Sequence, residues 1–341
     1  DLVFEVPGRD RKVTNTGSIV SAGGNIDLYG AVVNQNGLAS ADAIETNGGT
    51  VRLVASDTAR LGSGSSTTAR SEEARGGSIG VNSNSVTVSG RAGASGREAG
   101  GSIQVRAATL YHEGTLHADG QDGPGGEVCL SAGSNLTANS TASISATGTE
   151  GGAIHLETGG LLVSSGSYQA LGRDTAGGRI DIGGPGKVSV LCGALDASGA
   201  AGGGKIRVGG GYRGASDEVP LASHTIVSPG TELRADVTGA HGAGGQIIVW
   251  SQSGTQFYGH ASAMPGTETG AGGLVELSSA DELTFEGRDG IRTSRGERIG
   301  QILLDPVNIT VSNAPTGVAL AQQAVDGSPI SKRLSLCAEG S

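Results

Sequence analysis

The chain has 341 residues, of which 63 are glycine and nine are Phe, Trp or Tyr, too few aromatics to fill a thick two-layer core. Its formal net charge is −10 and its basic residues are scattered singly. That balance argues against a nucleic-acid partner, which needs clustered Lys and Arg, and no stretch approaches the roughly 18 consecutive apolar residues of a membrane span.

Residues 1–13, DLVFEVPGRDRKV, open with a short apolar alternation and a charged turn. Residues 1–22 therefore read as an N-terminal strand and an opening coil. Leu2, Val3, Phe4 and Val6 are candidate subunit-contact residues, because an unpaired strand edge recruits further strands. From Gly23 the chain repeats one phrase, Gly-Gly-x-[Ile/Val]-x-[Ile/Val/Leu], with first glycines at 23, 48, 76, 100, 125, 151, 177, 203, 244 and 272. The intervals are 25, 28, 24, 25, 26, 26, 26, 41 and 28 residues, and a degenerate copy, IGQILL, follows at Ile299. Each period holds two further short alternations, such as Val86-Thr87-Val88 and Ala92-Gly93-Ala94.

Period-two alternation over three to six residues is a strand signal, and nothing sustains a helical stripe. Three short strands per period of about 26 residues predict one coil of a parallel β-solenoid. No single coil buries its own apolar face, so stacking creates the core. Residues 23–312 are thus expected to form an all-β, right-handed parallel β-helix of roughly twelve coils. The glycine pairs are expected at corners because glycine reaches φ > 0 without steric cost, and a smaller corner also lets neighbouring coils approach. Positions between the apolar residues (Asp27, Gln104, His155, Asp181, Arg207) are polar and expected to face solvent.

The 41-residue interval predicts a loop projecting at about 209–224, where Tyr212, Arg213, Asp217, Glu218 and His224 are candidates for a ligand site. After Ser312 the pattern is lost, so 313–341 read as an irregular tail or linker. The three cysteines, Cys129, Cys192 and Cys337, form an odd, sparse set that fits neither a disulfide framework nor a zinc site. Free thiols are the expectation.

Some parallel β-helices are polysaccharide-active enzymes, which need convergent carboxylates on adjacent coils. The available acids are Asp181, Asp196, Asp217, Glu218, Asp236 and Glu276. Asp181 and Asp196 fall on different faces of one coil, Asp181, Arg207, Ile248 and Glu276 recur at equivalent positions of their coils as a mixed ladder, and solvated strand-face side chains account for the acids. Six histidines show no metal-ligand spacing beyond the pair His112 and His117. The reading is no catalytic, metal or cofactor site, and no cofactor.

The segments with VWSQSGTQFYGHASA (249–263), GGLVELSSADELTFEGRDGIRT (272–293) and GQILLDPVNITVSN (300–313), in this order, resemble the filamentous-haemagglutinin-like family of large exoproteins exported by two-partner secretion. The matching positions are Trp250, Phe257 to Ala263, Gly273 to Ser278, Leu283 to Gly287 and Gly300 to Ile309. Asn-Pro-Asn-Leu and Asn-Pro-Asn-Gly motifs of that family's secretion domain are absent, and 33–38 (VNQNGL) is a distant echo. This points to an internal segment, a processed product or a divergent relative. The resemblance implies a secreted or bacterial cell-surface adhesin: a rod for attachment, matrix or biofilm, with an outer-membrane two-partner transporter and host or matrix glycans or proteins as partners. The alternative is a subunit of an extracellular filament stacking head to tail on itself through its termini, with a polysaccharide-active enzyme behind both.

Overall fold

A computed structural model describes residues 1–6, 11–216, 219–286 and 290–314. The described chain is an all-β parallel β-solenoid of twelve coils, with one 3-10 turn at Tyr212–Gly214. Each coil lays a strand on each of three faces, except that the last has none on the third face among the described residues. The first face runs from Leu2–Glu5 to Gln301–Leu304, the second from Lys12–Asn15 to Asn308–Val311 and the third from Ser18–Val20 to Ile291–Arg292. Every strand pairs in parallel with its equivalents in neighbouring coils, as in Ala153↔Arg179 and Arg179↔Lys205. Twelve rungs at about 4.8 Å give a rod roughly 50–55 Å long.

The first two faces form one 19-stranded sheet and the third an 11-stranded sheet, because in coils two to six one strand bends through both faces. Asn25–Gln35 and Ser102–His112 are examples, with Gly30-Ala31 and Ala107-Ala108 at the bend. From coil seven the bend carries Gly159-Gly160 and then Gly184-Pro185-Gly186, and the strand divides in two. Proline lacks the N–H a continuous ladder needs.

Alternation places aliphatic residues inward in register. One column of the first face runs Ile26, Val51, Ile79, Ile103, Val128 and on to Val275, each buried. A column of alanines, from Ala41 and Ala69 to Ala235 and Ala263, lines the corner before each glycine pair and is likewise buried.

Gly177 and Gly178 show why the pair recurs. A Cβ at Gly177 would overlap the Ala197 carbonyl oxygen of the following coil, and one at Gly178 would overlap the Gly152 carbonyl oxygen of the preceding coil. The Gly178 N–H donates to the Ala170 carbonyl at 2.7 Å, which closes the coil on itself. Of the repeat-initial glycines, only Gly23 has positive φ. Close backbone approach, rather than left-handed geometry, requires glycine here.

Two expectations are corrected. Asp27, Asp181 and Arg207 point outward as expected but are buried: Asp27 lies between Val3 and Arg52 in the ladder, and Asp181 is enclosed by three basic side chains. Cys192 is disulfide-bonded, whereas Cys129 is a free thiol. Cys337 lies outside the described residues.

Candidate functional site

The outward column of the first face carries most of the buried charge. Register aligns His155, Asp181, Arg207, Ile248, Glu276 and Leu303 on successive rungs. Arg207 Nε and Nη2 donate to the two Asp181 carboxylate oxygens at 2.7 and 2.9 Å. Arg179 Nε stands 2.9 Å and His155 Nδ1 3.1 Å from Asp181 Oδ2. Burial by itself raises the Asp181 carboxyl pKa. The hydrogen bonds from His155 and Arg207, with the charges of Arg207 and Arg179, outweigh it and hold the pKa below the usual carboxylate value. A simpler pair recurs near the first coil, where Arg52 grips Asp27 through two bonds of 2.6 Å.

The start of the long interval after Gly209 does not project. Residues 209–216 lie back over this column. The Arg213 backbone N–H donates to both Glu276 oxygens at 3.1 Å, two rungs beyond the coil that the loop leaves. Gly214, at φ +77°, sits so close to the indole of Trp250 that a Cβ would stand 2.7 Å from its ring. Trp250 is thereby buried. Burial pushes the Glu276 carboxyl pKa up, and the Arg213 N–H and Ser278 hydroxyl recover only part of that shift.

Of the candidate ligand residues, the structure brings Tyr212 and Arg213 together: the guanidinium lies 5.2 Å from the ring centroid. A cavity of about 160 Å³ beside them is lined by Lys205, Arg207, Tyr212, Gln246 and Ile248. His224 stands elsewhere, on the second face between Lys187 and Gly254. Asp217 and Glu218 lie outside the described residues. Leu2, Val3 and Phe4 form the exposed first rung, while Val6 packs partly against the core.

The other acids serve the scaffold. Asp236 accepts the Ser262 hydroxyl at 2.6 Å and the Met264 N–H at 2.7 Å, stapling its corner to the next coil. Asp119 accepts the Ser145 hydroxyl at 2.5 Å and the Thr147 N–H at 2.8 Å in the same way. Asp196, on the third face, accepts the Ser198 N–H two residues on. Asp181 and Glu276 are three rungs apart, about 14 Å, beyond the roughly 5–9.5 Å that paired glycosidase carboxylates require. His112 points into the core and His117 outward to Asp119, 3.5 Å away. Among the described residues no group of His, Cys, Asp and Glu is placed to hold a metal ion.

The glycine pairs leave an open groove of about 1260 Å³ along the rod, edged by Arg75, Glu127, Arg179, Lys205 and Gln246. It follows from the corner geometry. Sequence reading placed the charged column in register but missed the loop that covers it. The signal was Trp250, a single tryptophan one rung from Glu276, a glutamate at an outward strand position.

No protein-family profile matches the chain, and no curated protein matches it by sequence. Among solved structures it is similar to the HMW1 secretion domain from Haemophilus influenzae, at 17% identity and a TM-score of 0.45, over 82% of this chain and 89% of that one.

Proposed function

We propose that this protein is a structural adhesin, secreted or held on a bacterial surface, that serves as a stiff rod for attachment, matrix or biofilm. The observation that carries the reading is the use of its charge. Asp27, Asp181, Asp236 and Glu276 each bond to a neighbouring coil or to the covering loop, so the polar chemistry stiffens the rod instead of converging on a substrate. The filamentous-haemagglutinin-like motifs support export by a two-partner transporter. Much of that motif is core grammar, since Phe257, Ala261, Ala263, Val275, Leu277 and Leu283 are all buried, while Trp250 and Glu276 hold the loop. The reading is tested with beads coated with the folded chain, applied to host cells and immobilised matrix glycans and proteins. Retention above beads coated with heat-denatured chain is expected; equal retention would refute it.

A second reading, head-to-tail self-assembly, rests on the two end rungs. Leu2, Val3 and Phe4 at one end and Ile302, Ile309 and Val311 at the other are exposed, and among the described residues each rung is bonded on one side only. Stacking copies would continue the columns, with Leu2 over Ile302, Phe4 over Leu304 and Val13 over Ile309. Concentration-dependent fibres in electron micrographs, lost on Ile309→Lys, are expected for a filament. Single rods of about 50–55 Å at every concentration would remove this reading.

A further inference from the structure

The loop that covers part of the first face also makes a pocket. Its floor is four outward side chains on two successive rungs, Lys205 beside Gln246 and Arg207 beside Ile248. Tyr212 and Ala215 of the loop complete its wall, and its volume is about 160 Å³. The loop is fixed in place. The Gly211 N–H donates to the Ala215 carbonyl at 3.0 Å, Glu276 accepts the Arg213 N–H, and Gly214 rests on Trp250. Arg213 stands at φ 52°, ψ 35°, a left-handed conformation uncommon outside glycine and asparagine that the surrounding contacts must hold. A pocket built in advance binds at less ordering cost.

The lining differs in charge from the chain as a whole. In a protein of net charge −10, it carries Lys205 and Arg207 and, among the described residues, no acid. Arg207 is bound to Asp181 through two bonds, so Lys205 supplies the positive charge left for a ligand. Among the described residues the Lys205 ammonium, the Gln246 amide and the Tyr212 hydroxyl have no hydrogen-bond partner. One cation with neutral donors and acceptors over an isoleucine suits one carboxylate and several hydroxyls on a ring with an apolar face. Sulfate and phosphate are best met by the planar fork of an arginine, and here that fork is taken. The pocket is smaller than the roughly 300–1,000 Å³ that encloses a drug-sized ligand, so it accepts one unit of a longer molecule. It opens on the glycine groove, whose lining shares Lys205 and Gln246. That groove runs about 40 Å along the bare glycine pairs, room for the adjoining units of a linear polymer.

We propose that this pocket binds one carboxylate-bearing sugar unit of an extended acidic polysaccharide whose adjoining units lie in the glycine groove. The Lys205 ammonium meets the carboxylate, the Gln246 amide and the Tyr212 hydroxyl meet ring hydroxyls, and Ile248 meets the apolar face of the ring. The inference rests on the adhesive reading for the class of partner, and adds the place and the charge of the contact.

The test is calorimetric titration of the full chain with short oligomers of galacturonate, mannuronate, guluronate and hyaluronan. At least one is expected to bind, and its methyl ester to bind about tenfold more weakly or worse, as loss of a charge-assisted bond implies. Lys205→Met and Tyr212→Ala are each expected to weaken the acid form by about tenfold at low ionic strength. Arg60→Met, which removes an exposed positive charge on the second face, should leave it within about twofold of wild type. Trp250 emission equal to that of wild type shows the loop in place in each variant. Where a variant loses that emission, acid against ester on the wild-type chain still decides. No binding by any of the oligomers, equal binding of acid and ester, equal affinity for a poly-glutamate of the same charge, or indifference to Lys205→Met overturns the pocket. The bead assay keeps the two readings apart. Uronate binding without retention of coated beads removes the adhesin and keeps the pocket, whereas retention without uronate binding removes the pocket and keeps the adhesin.

Discussion

His112 is the sharpest test of the packing. It occupies an inward position of the second face between Val88 and Ala138, is fully buried, and neither ring nitrogen completes a hydrogen bond. Burial lowers its pKa from 6.5 to about 4; the backbone near Val88 and Ser143 and the charge of Glu113 pull the other way and recover little. The folded-state value lies below the unfolded one. Above about 6.5 both states are neutral and nothing is lost. As pH falls from there towards 4, the unfolded chain binds a proton that the native chain refuses, so stability declines. For those two values the loss between pH 7 and pH 5 is about 2 kcal/mol. His112→Leu, close in volume and without nitrogen atoms, removes this term. It also relieves two buried unpaired nitrogens, a gain of about 1–3 kcal/mol at pH 7. Urea unfolding of both proteins at pH 7 and pH 5 measures the difference. A repeat rod can unfold coil by coil, so amide exchange within Ser102–His112, corrected for intrinsic rate, reads the same quantity locally. Wild type is expected to lose about 2 kcal/mol more than His112→Leu over that interval. Equal losses in the two proteins would mean that the imidazole is solvated, and the packing argument would fail.

Asp181→Asn removes the carboxylate that Arg207, Arg179 and His155 engage, and is expected to cost about 3–5 kcal/mol at neutral pH. Because the native Asp181 pKa is depressed, that contribution is present above the ordinary carboxylate value and lost as pH falls through the native one. Urea titrations of wild type and variant should therefore converge below about pH 4. Gly177→Ala drives a methyl into the Ala197 carbonyl and is expected to cost about 3 kcal/mol or more. Gly64→Ala, where nothing lies within 4 Å of the added atom, should stay within about 0.5 kcal/mol of wild type in thermal melts. Glu276→Ala removes the acceptor of the Arg213 N–H, so the emission of Trp250, the single tryptophan, should shift to longer wavelength. Glu276→Gln keeps an acceptor oxygen and should leave that emission unchanged.

The coil was legible in the sequence because each of its determinants is local and repeated. Ile180-Asp181-Ile182 between two glycine pairs states strand, face and corner within eight residues, and the 26-residue spacing states the stacking. Periodicity also places Asp181, Arg207 and Glu276 in one column. Two determinants were not local. The glycine pair is compatible with a left-handed turn or with close approach, and only the carbonyls of Gly152 and Ala197, 26 and 20 residues away from Gly178 and Gly177 in opposite directions along the chain, decide for approach. Likewise, an outward strand position reads as solvated unless something covers it. The sequence determined that Asp181 and Glu276 point outward, since alternation is a property of the strand itself. Whether Glu276 meets water depended on the return of the loop at Arg213 from tens of residues away, a contact between distant segments that only tertiary structure decides.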